Sequence, residues 1–387
     1  MSISRRSVLR TAAAAVPALA WGAAASTGAA AATARERSVA QARSAPREQP
    51  TPQWQVTPFP LRNDFGVNGL AMTGAAAGFA VGYQVAFWGP VPYDVPAVWS
   101  WDGARWAEVE GAVTGTSGRL YAATAAGPAD VWAVGDTGLA VHWDGQGWSR
   151  STVPGTADGA FSGYAVAGAG SAVWAVGRVG SSAAAARWNG SSWEGVALPL
   201  PPGSSQLTAV RVAGPGDVWA AGDYQASPGA LYRPFVVHWD GSAWSQVAAP
   251  SYPNLDVRVL DLLVAGPSEV WLSGGTGRYS QSGLWNAFAT HWNGTAWNGT
   301  RTPSATDPHY FHGLSLRGTE VWGVGYGDDS PVQRWTGSSW AVAPAPFVVT
   351  RPGVFTTGPD GTTWLFGYGA PDGRTGADPF TARLPAS

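Results

Sequence analysis

The sequence of 387 residues contains no cysteine and no lysine, and all 23 of its basic residues are arginine. Without cysteine the chain can form neither a disulfide framework nor a thiol nucleophile. Without lysine it can form no Schiff base, and no lysine can act as its general base. After residue 50 no apolar run reaches the roughly 20 residues that a membrane span needs. These absences exclude thiol and amine catalysis and predict a mature chain without a membrane span.

Positive charge is scarce outside the first 50 residues. That segment has seven arginines against Glu36 and Glu48, whereas the rest of the chain has 16 arginines against 23 acidic residues. The folded part therefore carries a net charge of about −7 at pH 7. Binding to nucleic acid needs a basic surface that meets the phosphates. We therefore expect no nucleic-acid partner.

Two adjacent arginines near the N-terminus indicate export. Arg5 and Arg6 precede a modest apolar run over residues 11–25 and small-residue cleavage patterns between residues 23 and 34. This arrangement resembles a twin-arginine (Tat) signal peptide. A Sec signal and a short membrane anchor are the alternatives. We expect a secreted, extracellular protein with a Tat-type signal peptide over residues 1–34, a disordered leader over 35–53 and a folded domain over 54–387.

Glycine and tryptophan are abundant, at 52 and 23 residues, and an internal repeat accounts for both. The segment Val-Trp-Ala-Val-Gly, or a variant of it, occurs seven times. The copies begin at Gly78, Val131, Val173, Val218, Val270, Val321 and Thr363. Their spacing of 42 to 53 residues is the period of a propeller blade and not of a helical solenoid.

A second motif, Trp-Asp-Gly-x-x-Trp with Asn or Thr at some copies, follows each of the first six copies. It begins at Trp101, Trp143, Trp188, Trp239, Trp292 and Trp335. Asp-Gly and Asn-Gly between apolar runs are strong hairpin signals, because the turn positions must accept positive φ. With the apolar stretch before each first motif, every repeat contains four strands. We name them inner, second (Val-Trp-x-x-Gly), third (ending at the first Trp of the second motif) and outer.

The two ends of the chain complete one blade. Residues 380–384 match the third strands of the other repeats, and no outer strand follows them. Residues 54–58 resemble the outer strands that begin at Trp148 and Trp244. We therefore predict an all-β, seven-bladed β-propeller with four antiparallel strands per blade, whose last blade is closed by the N-terminal strand. Such pairing hides two sheet edges.

The repeats resemble those of secreted bacterial seven-bladed β-propellers with Val-Trp-Ala-Val-Gly and His-Trp-Asp-Gly-x-x-Trp motifs, and more loosely kelch blades. The resemblance covers residues 54–384. It implies the fold but not an activity, because propellers host many functions.

Most histidines belong to the repeat. The position before the third-strand tryptophan holds His or Arg in six blades, and an acid begins the second strand in four. Because these strands are antiparallel neighbours, each acid should face its partner across the sheet. The expected structural pairs are Asp130 with His142, Asp217 with His238, Glu269 with His291, and Glu320 with Arg334. His309 and His312 should point to opposite faces of a strand, so we predict no metal site and no cofactor.

The remaining candidates for function lie in loops on one face of the ring. Connections between second and third strands are long and variable, and in blades one, four and five they combine aromatic and planar polar side chains, which suit sugar rings. The expected ligand-binding residues are Trp88, Tyr93, Asp94, Tyr224, Tyr232, Arg233, Arg278, Tyr279 and Trp285. The alternative is that these aromatics only pack the loops onto the blades.

Three functions remain open. The first is a monomeric binding module for a polysaccharide through the aromatic loops. The second is a propeller glycoside hydrolase or polysaccharide lyase, whose carboxylates would come from Asp64, Asp94, Asp256, Asp307, Asp328 and Asp329 near the channel mouth. The third is a scaffold that binds a protein ligand. No nucleophile motif decides whether the chain is an enzyme, so its catalytic residues are unknown.

Overall fold

The computed structural model describes residues 53–60, 65–88, 90–277, 285–300, 310–326, 332–345, 349–369 and 378–386. These residues form seven antiparallel sheets of four strands each. The seven-bladed, all-β propeller predicted from the repeats is confirmed. Within the described residues, no helix is long and apolar enough to span a membrane.

Each blade follows the inner, second, third and outer order. Blade 1 consists of β2 (Phe65–Gly74), β3 (Ala77–Trp88), β4 (Val91–Trp101) and β5 (Trp106–Glu108). Blade 2 consists of β6 (Leu120–Gly127), β7 (Asp130–Gly135), β8 (Leu139–Trp143) and β9 (Trp148–Thr152), with a 3₁₀ turn at Asp136–Gly138. Blade 3 consists of β10 (Phe161–Ala169), β11 (Ala172–Val179), β12 (Ser182–Trp188) and β13 (Trp193–Val196).

The remaining blades repeat this order. Blade 4 has β14 (Ser204–Gly214), β15 (Asp217–Gln225), β16 (Tyr232–Trp239) and β17 (Trp244–Val247). Blade 5 has β18 (Asp256–Gly266), β19 (Glu269–Gly277), β20 (Trp285–Trp292) and β21 (Trp297–Thr300). Blade 6 has β22 (Tyr310–Arg317), β23 (Glu320–Tyr326), β24 (Val332–Trp335) and β25 (Trp340–Val342). Blade 7 has β26 (Val349–Thr357), β27 (Thr363–Gly369), β28 (Asp378–Leu384) and β1 (Gln55–Pro58).

The N-terminal strand closes the ring as predicted. β1 pairs antiparallel with β28, with Gln55 opposite Arg383 and Pro58 opposite Phe380. Trp54 adds a hydrogen bond of 2.8 Å from its indole Nε1 to the carbonyl of Pro344 in blade 6. Blade 7 therefore contains the first and the last strands of the chain.

Tryptophan side chains fill the interfaces between blades. The second-strand Trp132 of blade 2 has its ring centroid 4.8 Å from that of Trp188 and 5.4 Å from that of Trp193, both in blade 3. At the closure of the ring, Trp364 of blade 7 lies 5.4 Å from Trp101 of blade 1. Aromatic pairs in such tilted or edge-on contact contribute about 0.5–1.5 kcal/mol each beyond their burial. The repeat thus places one tryptophan cluster between neighbouring blades.

The second motif forms the turn between third and outer strands. In blade 2, Asp144 Oδ1 accepts hydrogen bonds of 2.9 Å from the amides of Gln146 and Gly147. Gly145 has φ of +90°, a conformation that side chains disfavour. The short side chain of Asp and the glycine after it are therefore both required by the turn.

The glycine that ends Val-Trp-x-x-Gly has a different cause. In six blades, a Cβ atom on this glycine would lie 2.8 Å or less from a backbone carbonyl oxygen of the inner strand. These glycines are Gly82, Gly135, Gly177, Gly222, Gly274 and Gly367. The carbonyl belongs to the residue two positions before a β-bulge in that strand. A bulge inserts one extra residue and bends the strand, and here the bend brings two backbones into contact.

Candidate functional site

The loops divide the ring into two faces. Turns that join inner to second strands and third to outer strands, such as residues 128–129 and 144–147, lie on one end, which we call the turn face. Connections between second and third strands and between successive blades, such as residues 136–138 and 109–119, lie on the other end, the loop face. Antiparallel order within every blade imposes this division. The seven blades differ from one another most in the length and sequence of the connections on the loop face.

The hairpin of β3 and β4 projects from the loop face. Its strands have 12 and 11 residues, against 6 and 5 for the corresponding strands of blade 2. Its tip carries Trp88, with 82% of its surface exposed, together with Phe87 at 64%, Val91 at 60% and Tyr93 at 40%. Large apolar side chains this exposed on a folded domain indicate an interaction surface.

The pairing register of this hairpin separates its aromatic side chains. Trp88 pairs with Val91, and Ala86 pairs with Tyr93. Directly paired residues share a face and successive residues alternate, so Trp88 and Tyr93 lie on one face and Phe87 lies on the other. We call the face with Trp88, Val91 and Tyr93 the aromatic face of the hairpin.

Asp94 anchors the base of the hairpin. Its Oδ2 atom lies 2.6 Å from Nε of Arg119 at the start of blade 2, and its carbonyl accepts a hydrogen bond of 2.8 Å from the amide of Gly118. The Arg119 guanidinium also lies over the ring of Tyr83, 4.1 Å from its centroid. Asp94 therefore holds the hairpin against blade 2 through an ion pair that is partly screened by solvent.

The predicted residues of blade 4 are engaged with their own surroundings. Tyr232 lies beneath the guanidinium of Arg258, 4.1 Å from the ring centroid, and its amide donates to Asp256 Oδ1 at 2.9 Å. Arg233 donates to the carbonyl of Tyr252 at 2.7 Å. Tyr224 packs against the core between blades 3 and 4. The contacts of Tyr232 and Arg233 join blade 4 to blade 5 and to the loop between them.

A buried carboxylate, Asp223, lies in the same region. Only 2% of its surface is exposed, and burial raises its pKa to about 6 although Arg258 opposes the shift. Its Oδ1 atom lies 3.2 Å from Arg258 and accepts a bond of 3.3 Å from Gln206. Asp223 lies in β15 and is not among the residues that the sequence predicted for the site.

Several sequence-predicted residues fall outside this description. Arg278, Tyr279, Asp64, Asp307, His309, Asp328 and Asp329 lie outside the described residues. Trp285 begins β20, where its backbone pairs with Gly277. Among the described residues, no group of three or more His, Asp or Glu side chains could hold a metal ion.

The acids and bases of the repeat face each other on the turn face. Their nitrogen–oxygen distances are 2.8 Å for His142–Asp130, 2.8 Å for His238–Asp217, 4.0 Å for His291–Glu269 and 3.4 Å for Arg334–Glu320. The imidazole of His142 also stacks on Trp132, with centroids 4.0 Å apart. In blade 7, where no acid begins the second strand, Arg383 donates to Gln55 of β1 at 2.8 Å. In these blades the position links neighbouring strands.

A ring of seven side-chain positions surrounds the central channel, and sequence reasoning missed it. Each inner strand has a bulge at the same place, so the extra residues at this bulge occupy equivalent positions in the seven blades. These bulge residues are Asn68, Tyr121, Tyr164, Thr208, Leu260, His312 and Gly353. All seven line a cavity of about 800 Å³ at the centre of the propeller. We call them the bulge ring.

The charged groups of the channel wall neutralise each other. Arg211 of blade 4 lies 2.7 Å from Asp261 Oδ1 of blade 5, and Asp261 Oδ2 accepts from the amide of Leu314 at 2.8 Å. The imidazole of His312 is open to the cavity but enclosed by the surrounding blades. This enclosure lowers its pKa, although the carboxylate of Asp261 opposes the effect.

Comparison with known proteins supports the propeller fold of this chain and assigns it no activity. No protein family and no curated protein matches the sequence. Among solved structures, YCF48 bound to a D1 peptide superposes with a TM-score of 0.58 at 14% identity over 88% of this chain and 97% of the other. Virginiamycin B lyase from Staphylococcus aureus superposes with a TM-score of 0.60 at 10% sequence identity, over 86% of this chain and 99% of the lyase. The WD40 propeller of Doa1 superposes with a TM-score of 0.55 at 11% sequence identity, over 86% of this chain and 96% of the Doa1 chain.

Proposed function

We propose that this propeller is a secreted, monomeric binding module that holds a glycan on the aromatic face of its β3–β4 hairpin. The observation that carries the proposal is the exposure of Trp88, 82%, on the same hairpin face as Tyr93. It is the most exposed large apolar side chain among the described residues. Such an exposed position is unfavourable unless a ligand covers it.

The aromatic face suits a sugar chain in shape and chemistry. Trp88 and Tyr93 are diagonal neighbours across the hairpin, a spacing of roughly 7–8 Å between strand positions. Aromatic rings stack on the apolar faces of pyranoses, while nearby amides can bond their hydroxyls. Gln84 lies on the same face nearer the blade and supplies such an amide. The ion pair of Asp94 and Arg119 keeps the platform fixed.

Retention on immobilised polysaccharides tests this platform, and the hairpin provides its own control. Trp88→Ala and Tyr93→Ala should each weaken retention by about tenfold, as loss of a central aromatic contact does. Phe87→Ala removes an exposed aromatic from the adjacent position on the opposite face and should leave retention within about twofold of wild type. Thermal melting would show that all three variants fold. Equal losses in all three, or no retention of wild type by any polysaccharide, would exclude the platform.

A protein ligand is the second candidate, and the shape of the hairpin tip favours it. Phe87 and Trp88 extend from opposite faces of the same tip, so a partner could enclose both. Solved propellers of similar shape include one bound to a peptide. With a protein ligand, Phe87→Ala and Trp88→Ala should weaken binding to a similar degree. The Phe87 variant therefore distinguishes the two candidates.

The carboxylates in the described part of the chain support binding rather than hydrolysis. Asp94 is paired with Arg119, and Asp256 accepts from the amide of Tyr232. A hydrolase or lyase needs two carboxylates, or a carboxylate and a base, that converge on one bond. Release of product from a polysaccharide by purified protein, lost on changing Asp94 or Asp256 to Asn, would restore the enzymatic alternative.

Export by the Tat route is part of this proposal and rests on Arg5 and Arg6. Replacing both arginines with lysine retains the charge but removes the paired-arginine signal. The variant should remain inside the cell, whereas wild type appears in the medium. Undiminished secretion of the variant would indicate a Sec signal instead.

A further inference from the structure

The bulge ring differs from the positions of the two sequence motifs. Positions that serve the blade hold similar residues around the ring, as the glycine of Val-Trp-x-x-Gly does. The bulge ring instead holds Asn, Tyr, Tyr, Thr, Leu, His and Gly at geometrically equivalent places. The backbone geometry is common to all seven blades, so it does not dictate these side chains. Their chemistry requires another explanation.

Two members of the ring have a structural role. Asn68 Nδ2 donates to the carbonyl of Leu120 at 2.8 Å, and Thr208 Oγ1 donates to the carbonyl of Val259 at 2.8 Å. Leu120 and Val259 each precede the bulge residue of the next blade. These two side chains therefore join neighbouring blades. Tyr121 also has a partner, since its hydroxyl donates to Asp136 Oδ2 at 3.4 Å, but these bonds do not account for Tyr164 or His312.

The remaining polar members stand on opposite walls of the channel. Tyr121 and Tyr164 belong to blades 2 and 3 and meet edge to face, with centroids 5.9 Å apart. His312 belongs to blade 6, across the ring. Tyr164 is half-buried and His312 is exposed to the cavity, which both residues line. Their hydroxyl and imidazole groups are therefore accessible to a ligand or to water in the channel.

The electrostatics of the wall indicate what kind of ligand fits. Arg211 and Asp261 cancel each other at 2.7 Å, and no other Arg, Asp or Glu side chain lies among the described residues that line the cavity. Burial, and to a lesser degree Asp136, raises the pKa of Tyr121 to about 12, so its phenol remains a neutral donor. A charged ligand would lose its hydration here without gaining a partner charge.

We infer that the channel is a second binding site, which takes a neutral, hydroxylated ring compound such as an uncharged sugar residue between the tyrosine wall and His312. Tyr121 and Tyr164 offer aromatic surface to the apolar side of the ring, and the imidazole and phenol groups bond its hydroxyls. A cavity of about 800 Å³ lies within the range of small-molecule sites. The site shares no residue with the β3–β4 hairpin, so either site can fail without the other.

Calorimetric titration with matched neutral and anionic sugars tests the site. Suitable pairs are glucose with glucuronate, in which a carboxylate replaces the C6 hydroxymethyl group, and N-acetylglucosamine with N-acetylmuramate, which adds a lactyl ether that ends in a carboxylate. At least one neutral sugar should bind wild type about tenfold more tightly than its anionic counterpart. Tyr164→Ala and His312→Ala should each weaken that binding by about tenfold, while Phe87→Ala, on the hairpin, should change it less than twofold.

A further variant tests whether weaker binding results from a blocked channel in a protein that is still folded. Leu260→Trp adds bulk to the bulge ring without removing a polar group, and it should also abolish binding while the thermal melt stays cooperative. The inference is overturned if no neutral sugar of the panel binds, if the anionic sugars bind as well as the neutral ones, or if Tyr164→Ala, His312→Ala and Leu260→Trp all bind normally. This assay does not measure retention on polysaccharides, which tests the hairpin with Trp88. Failure of the channel site and failure of the hairpin site can therefore be distinguished.

Discussion

The guanidinium of Arg317, on the inner strand of blade 6, donates a hydrogen bond of 3.0 Å to the backbone carbonyl of Leu384. Leu384 is the last residue of β28, the third strand of blade 7. Arg317 also bonds the carbonyl of Pro385 and is 6% exposed. A single buried cation thus holds the end of the chain against the neighbouring blade.

Replacing this arginine should weaken the closing blade. Arg317→Met leaves the carbonyls of Leu384 and Pro385 without their charged donor, and we expect a loss of about 2–4 kcal/mol in the free energy of unfolding. The matched control is Arg334→Met in the same blade, whose pair with Glu320 is solvent-exposed and should be worth about 1 kcal/mol or less. Denaturant titration measures both. Equal effects of the two variants would contradict the special role of Arg317.

The glycine of the first motif should not tolerate even one methyl group. In Gly222→Ala the new Cβ would collide with the carbonyl oxygen of Gln206, and relief requires the bulge to move. We expect a loss of about 3 kcal/mol or more, or failure to fold. Gly195→Ala, on an outer strand with open space around its Cβ, should change stability by about 1 kcal/mol or less in either direction. Similar melting temperatures for the two variants would show that the bulge adapts.

Asp223 should make stability fall as pH rises from about 4 to 6. The pKa of its carboxyl is raised from 3.8 to about 6 by burial. The unfolded chain therefore releases this proton at lower pH than the folded protein, so ionisation favours unfolding across that window. At 1.36 kcal/mol per pKa unit the contribution is about 2–3 kcal/mol. Its full stabilising effect is present below pH 4.

Asp223→Asn removes this dependence and gives the test. His291 and His312 have pKa values lowered by burial. Each of them therefore reduces the free energy of unfolding of the protein as pH falls below about 6.5. They contribute equally to both proteins, and the wild-type minus variant difference in unfolding free energy isolates Asp223. That difference should slope between pH 4 and 6 and be flat above 7. Parallel profiles would contradict the raised pKa.

The N-terminal strand should be essential to the stability of the ring. A chain that starts at Phe59 lacks β1, the hydrogen bond from Trp54 to Pro344 and the apolar contacts of Trp54 and Val56 with the core of blades 6 and 7. We expect it to lose about 3–5 kcal/mol and to associate through the exposed edge of β28. A chain that starts at Gln53 keeps the strand and should melt as a monomer. If both chains melt alike, closure by β1 is dispensable.

The repeat made most of the fold predictable from sequence. Val-Trp-x-x-Gly and Trp-Asp-Gly-x-x-Trp identify two strands and a turn in most blades, and the outer strand of blade 7 is supplied by the N-terminal residues Gln55–Pro58. The bulges were not predictable, because one extra residue inside an inner strand carries no turn signal. A sequence clue existed in the recurring glycine of the first motif, since glycine inside a strand often marks a close backbone approach. The contact of Asp223 with Arg258 joins two blades across 35 positions and depends on packing that no local pattern encodes.

The pairing of β1 with β28 has one more consequence, for the order of the blades along the chain. Gln55 lies opposite Arg383, so Leu384 and Trp54 are placed as the two tryptophans of the second motif are placed in the other blades. A four-residue Asp-Gly turn inserted between them would complete a seventh regular hairpin. New chain ends could then be opened at a turn of any other blade. The fold is in this sense a cycle of seven units, and a circularly permuted chain should adopt it as readily as the natural one.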